Sequence, residues 1–313
     1  MVRQDSAKKL NSRHVFRGEN FMRYFIGCLM FALLAGCANP LTPREIDMSR
    51  VYIDPQPIDT AVQIQRGKPR KVIDAVGWVI GIPSKILLWD RRVDNHNISL
   101  ETEFQIGEYL EINNLYHTRV RLNQYHPRED WRRLISNRNV HPLLRFTFGT
   151  LSVLGETLFP GRIFGGDHYN PYTDTIHLYS DIPAIALHEG GHAKDFARRQ
   201  YKGLYAFGYT LPILPLYYEK VATADVFDYY QKHGTPEQHA AAARILYPAY
   251  ATYVGGIGSR GFPRYSLPIY YGSVLAGHAA GRYEAQRILN EAYHMRQEFN
   301  EPKLGDSFFS FGY

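Results

Sequence analysis

The chain has 313 residues, of which 45% are hydrophobic, 21% charged and 14% aromatic, with 26 Gly, 18 Pro and 2 Cys. This material suffices for one large domain or two small ones and excludes disorder throughout; a mean hydropathy of -0.34 argues against a polytopic membrane protein, and two cysteines cannot build a disulfide framework or a four-thiolate zinc site. Residues 1–37 carry +4 of the +6 net charge, from Arg3, Lys8, Lys9, Arg13, Arg17 and Arg23 against Asp5 and Glu19, so the remainder is close to neutral and no nucleic-acid partner is expected.

In chain order, the first feature is a short basic start at Met22 and Arg23, an apolar stretch from Tyr24 to Leu34, and small residues before Cys37. This is the architecture of a secretory signal, too short for a permanent membrane span. Its ending, Leu34-Ala35-Gly36-Cys37, resembles a bacterial lipobox. The resemblance implies cleavage before Cys37, lipid attachment to that residue and membrane anchorage through it. With Ala38 next, the family pattern implies the outer membrane, facing the periplasm. Cys28 would leave with the signal, so the mature chain would hold a single, acylated cysteine and no disulfide.

Residues 38–70 are rich in Pro and polar residues and read as a flexible tether. Val72 to Trp89 is more apolar, and reads either as an interfacial helix or as a core helix broken at Pro83. Ser99 to Leu115 has helical spacing; Arg119 to Tyr125 alternates like a strand; Pro127 starts a helix. Residues 71–145 thus form an N-terminal helical and mixed region. Residues 146–300 form a second domain, followed by a tail at 301–313. Within the second domain, Leu143 to Leu158 reads as helical, Arg162 to Phe164 as a short strand, and Asp174 to Tyr179 as a strand. Asp181 reads as an N-cap, with Pro183 in the first turn of a helix running to about Arg199.

That helix contains His188-Glu189-Gly190-Gly191-His192, an HExxH motif. Positions i and i+4 share one helical face, so both imidazoles can reach one zinc ion. Glu189 is then placed to take a proton from zinc-bound water and hand it to a leaving amine. A candidate third ligand, Glu219, lies on a second predicted helix, 27 residues past His192. Asp225 is its reserve. Gly190 and Gly191 each cost about 1 kcal/mol against Ala in a helix interior, and the expected return is close approach by that second helix.

These residues resemble the gluzincin type of zinc metallopeptidase over roughly residues 160–230. The resemblance implies His188, His192 and Glu219 as zinc ligands, Glu189 as general base, and a strand beside the helix that pairs with an extended substrate. The metzincin extension is absent, since Asp195 and Arg198 stand where its Gly and third His belong. The acidic residue expected four positions after the ligand Glu is Thr223 here. Asp195 and Asp225 are therefore candidates to orient a histidine. His278, Arg282 and Tyr283 are candidate oxyanion donors, against a reading in which Gly277 and Gly281 mark a tightly packed core helix. Gly255-Gly256-Ile257-Gly258 is no P-loop and reads as a turn.

The expected fold is α+β, a mainly helical zincin-like domain with a small β-sheet beside the active-site helix. The expected function is zinc-dependent hydrolysis of peptide bonds in peptide or protein substrates of the cell envelope. The alternative is a non-catalytic envelope lipoprotein that uses a zinc-binding scaffold for binding or assembly, although a scaffold need not keep Glu189. A zinc hydrolase acting on a non-peptide bond is a third reading.

Overall fold

A computed structural model describes residues 63–300, with side-chain surroundings as far as Gln297. The expected signal and lipobox ending at Cys37, most of the expected tether and the expected tail at 301–313 lie outside the described residues. The fold is α+β and mainly helical, with one small mixed sheet. The sheet order is β1 (Ile64–Arg66), β2 (Arg119–Leu122), β4 (Thr175–Leu178), β3 (His168–Asn170). β1, β2 and β4 are parallel, and β3 returns antiparallel on β4. β1 lies inside the stretch expected as tether, so residues 64–66 of that stretch form a strand of the sheet instead. Strands from both sides of residue 145 share this sheet, and residues from Val93 to Leu246 share one apolar cluster.

Register separates the two faces of the sheet. Val120 pairs with Ile176 and Leu122 with Leu178, and all four are buried. Because side chains alternate, the residues between them form a polar row across all four strands: Gln65, Arg121, His177 and His168. This row is covered by α4 (Pro127–Ser136) and α5 (Thr150–Leu158). From α4, Asp130 accepts from the Arg121 guanidinium at 2.7 and 3.0 Å. α5 is entered through a π-helical turn, Arg145–Gly149.

Before the sheet's second strand come α1 (Lys71–Ile80), α2 (Ile82–Leu88) and α3 (Leu100–Ile112). The break between α1 and α2 falls at Gly81, and Pro83 sits in the first turn of α2, where a missing N–H costs nothing. The core-helix reading of this segment fails for most of its apolar side chains: Val72, Val79 and Ile86 are exposed. The buried residue of α1 is Gly77, packed on His96 and the Arg162 carbonyl. Arg162 itself stands in a short helix, α6 (Gly161–Phe164), rather than the expected strand. Its guanidinium reaches back to Asp74 at 2.7 Å and the Lys68 carbonyl at 2.6 Å, and the sheet offers that segment no partner.

Asp94 pins the loop that leads into β3. Its carboxylate accepts the Gly166 N–H at 2.8 Å, while burial and then the Asp167 charge push its carboxyl up to about 6. A folded-state value above the ordinary 3.8 means that the folded protein favours the protonated form. The associated stability is complete below pH 4 and is lost as pH rises through about 6. Asp94→Asn keeps the acceptor and suits the positive φ of 44° at this position. We expect it to stabilise the fold above pH 6 by on the order of 2 kcal/mol and to have no such effect at pH 4, as read from thermal unfolding at the two pH values.

The remaining helices are α7 (Pro183–Arg198), α8 (Lys202–Gly208), α9 (Leu214–His233), α10 (Pro236–Gly261) and α11 (Ser266–Asn300). α10 starts with a capping box between Thr235 and Gln238. The glycine segment 255–258, expected as a turn, lies inside α10, with the backbone of Tyr270 from α11 against Gly255. α10 and α11 form an antiparallel hairpin. A Cβ at Gly281 would lie 2.5 Å from the Ala243 carbonyl oxygen, so the packed-helix reading of Gly277 and Gly281 holds. Among the described residues no helix is long and apolar enough to cross a membrane.

Candidate metal centre

α7 runs through the middle of the molecule, touching α3, α9, α10, β3 and β4. Residues 184–193 of it are all buried. It starts at Pro183 with Ile182 as N-cap, not Asp181 as expected. The Asp181 carboxylate is turned away to accept from the Ser99 and Thr102 hydroxyls, each at 2.7 Å, and so ties down the start of α3. The glycines of the motif answer to two different neighbours. Gly191 lets α9 approach, since a Cβ there would lie 3.0 Å from the Ala222 Cα. Gly190 faces the Tyr109 ring of α3 instead.

The close crossing of α7 and α9 brings three donors together. His188 Nε2 lies 2.9 Å from Glu219 Oε2, His192 Nε2 lies 3.4 Å from Glu219 Oε1, and the two Nε2 atoms are 3.1 Å apart. All three residues are buried. Two ring nitrogens at that separation can share at most one proton. A metal ion instead accepts a lone pair from each, and a third from the carboxylate, so the trio could hold one. Burial alone would raise the Glu219 carboxyl, but the facing imidazoles, His192 first, hold it well below the usual carboxylate range.

The outer nitrogens of the histidines are also occupied. The Tyr209 hydroxyl lies 3.0 Å from His192 Nδ1, and the Thr223 hydroxyl 3.4 Å from His188 Nδ1. Such partners fix which ring nitrogen faces inward. The expected orienting residues do something else. Asp195 pairs with Arg199 at 2.7 Å. Asp225 takes Lys194 and the Tyr109 hydroxyl, which leaves it outside the donor trio. Thr223, at the position where an acid was expected, makes the contact to His188 instead. Tyr209 sits just past α8, a short helix with no counterpart in the sequence reading.

Glu189 is 7% exposed. Burial pushes its carboxyl up to about 7, opposed by His188 and reinforced by the Glu219 charge. From α10, Tyr253 faces the same charges: the Glu219 carboxylate and then burial hold its phenol well above its usual range. The candidate oxyanion donors of α11 are placed elsewhere. His278 Nε2 donates to the Leu87 carbonyl at 2.9 Å and its ring stacks on Trp89, Arg282 lies over Trp89, and Tyr283 is exposed. His278 and Arg282 bind α11 to the end of α2. β4, the strand before α7, is paired on both sides, so the edge strand next to it is β3 and not β4.

No protein-family model matches the chain, and no curated protein or solved structure matches it either.

Proposed function

We propose that the protein is a zinc-dependent hydrolase of peptide bonds, acting in the cell envelope and held there by lipid on Cys37. The observation that carries this reading is the convergence of His188, His192 and Glu219 beside a buried glutamate that none of the three donor positions uses. Two imidazoles and one carboxylate match the donor set of a catalytic zinc site with three protein ligands. When bound there, zinc supplies Lewis acidity, polarising the scissile carbonyl and easing loss of a proton from the attacking water.

The chain's own residues do the rest. Glu189 accepts the proton of the attacking water and returns it to the leaving amine, a task suited to a carboxyl raised toward neutrality. Tyr253, kept protonated by its surroundings, offers an O–H donor next to Glu219 for the carbonyl oxygen as negative charge develops on it. β3, the edge of the described sheet on that side, offers main-chain groups to an extended peptide. Tyr209 and Thr223 hold the two histidine rings in orientation.

The test is incubation of the full chain with a mixture of extended peptides, reading new N-termini by mass spectrometry. We expect cleavage that a chelator abolishes and added zinc restores. Zinc bound without any cleavage would overturn peptide hydrolysis and favour the binding scaffold. A subtler variant checks the support of the site: Tyr209→Phe should lower zinc affinity about 10–100-fold in a competition titration, because His192 Nδ1 loses its hydroxyl partner.

A further inference from the structure

The polar row across the sheet ends in a second group of donors. His168 and His177 face each other across β3 and β4 with rings stacked at 4.7 Å, and Glu156 reaches them from α5. Glu156 Oε1 lies 3.0 Å from His168 Nε2 and is also bonded by the Asn170 amide at 2.6 Å. Glu156 Oε2 lies 3.9 Å from His177 Nε2. Both of these last atoms are buried, and neither has a hydrogen-bond partner among the described residues. His177 is only 4% exposed.

The hydrogen bonds on the other side of the group limit what can fill it. His168 Nδ1 lies 2.9 Å from the Gly166 carbonyl, which can only accept, so Nδ1 carries a proton and donates it. Nε2 of a neutral His168 is then a bare lone pair aimed at a carboxylate oxygen. A proton on Nε2 would satisfy that one contact. It would leave His177 Nε2 and Glu156 Oε2 both buried and unmet. A cation can draw on all three residues, whose donor atoms lie within 4.8 Å of one another. A carbonyl behind the first imidazole is the support that metal-binding histidines have.

The space is present as well. Glu156, His168 and His177 line a cavity of about 60 Å³ together with Tyr125, Asp130 and Tyr179. The neighbouring Arg121 charge is already balanced by Asp130.

We propose that Glu156, His168 and His177 form a second metal site, separate from the His188, His192 and Glu219 trio, that takes a divalent cation of the zinc class. Two imidazole nitrogens and one carboxylate oxygen favour zinc over calcium or magnesium, which prefer all-oxygen shells. This site does not depend on the hydrolase reading, since none of its residues belongs to the first trio.

The experiment counts metal. The full chain is stripped with a chelator, dialysed, and titrated with zinc against a chromophoric chelator, with metal content read by atomic emission. We expect two equivalents for the parent, one for His177→Ala and for the near-isosteric Glu156→Gln, and one for Glu219→Ala. Two equivalents in both His177→Ala and Glu156→Gln, or one in the parent that Glu219→Ala removes, would overturn the second site. A water molecule filling the cavity would give this same negative result. Circular dichroism checks that the variants fold. A measurement on the parent chain alone covers the case in which they do not. Cobalt(II) loading should shift imidazole proton resonances of four histidines, and shifts confined to His188 and His192 would overturn the proposal.

Discussion

Glu189→Gln should bind zinc like the parent chain and lose hydrolysis by about 10²–10⁴-fold, the usual contribution of a positioned general base. The amide matches the carboxylate in shape, and Glu189 is not one of the three converging donors, so metal content should not change. What Gln cannot do is accept the proton. A second consequence concerns stability and follows from the same burial. The carboxyl is raised to about 7 in the folded protein from an ordinary 4.5, mainly by burial. The folded state therefore favours the protonated form, and that contribution is complete below pH 4.5 and lost as pH rises through about 7. Metal-free Glu189→Gln should accordingly be more stable than the metal-free parent at pH 8, by at most about 3 kcal/mol, and equal to it near pH 4. Thermal unfolding in chelator at the two pH values reads the difference. Activity lost together with stability gained marks a residue kept for chemistry and not for the fold. Full activity in the variant would remove Glu189 as base, and equal stability at pH 8 would mean its carboxylate is not strained by burial.

The parts of this site that a one-dimensional reading captured are those with a local period. His188, Glu189 and His192 are tied by a single helical turn, and any helix over 183–198 must put the two imidazoles on one face. Glu219 was within reach because a helix could be read around it and because Gly191 implied a close neighbour; the Gly191–Ala222 contact is that neighbour. Tyr209, Thr223 and Tyr253 were not legible, because each meets the site through tertiary packing with no spacing of its own. In sequence Thr223 marks only a departure from an expected acid, yet its hydroxyl stands by His188 Nδ1.

The misread elements have a common cause. Asp181 has the composition of an N-cap, but the hydroxyls of Ser99 and Thr102 claim its carboxylate from another helix. Gly255 to Gly258 has the composition of a turn, but contact with α11 lets the helix continue. In both, tertiary partners overrode a local preference. The Glu156, His168 and His177 group shows the same limit from the other side. Its residues come from one helix and two strands, and only the register Arg121–His177–His168 aligns them. Alternation along β4 puts His177 opposite the Ile176 and Leu178 face, which a reading of strand periodicity could have flagged, but the partner strand and α5 were beyond it.

Glu219→Ala should remove the metal equivalent that His188 and His192 hold. The expected affinity loss exceeds the 10–100-fold that typically follows loss of a supporting partner, since here a donor itself goes. Glu219 contributes the only anionic donor of the trio, with its oxygens at 2.9 and 3.4 Å from the two Nε2 atoms. Without it, two buried imidazoles are left 3.1 Å apart. The pair offers lone pairs but no charge to offset a divalent ion. Asp225→Ala is the matched control on the same helix, six residues on and engaged with Lys194 and Tyr109; it should keep the metal. Thermal unfolding supplies a readout independent of metal analysis. An ion that binds only the folded state stabilises it by about 2.7 kcal/mol at a free concentration 100 times its Kd. Zinc at fixed concentration should therefore raise the Tm of Asp225→Ala as it does that of the parent, and raise the Tm of Glu219→Ala less. Equal metal content and equal zinc-induced shifts in Glu219→Ala and the parent would take Glu219 out of the site, and loss of zinc from Asp225→Ala instead would transfer the third position to Asp225.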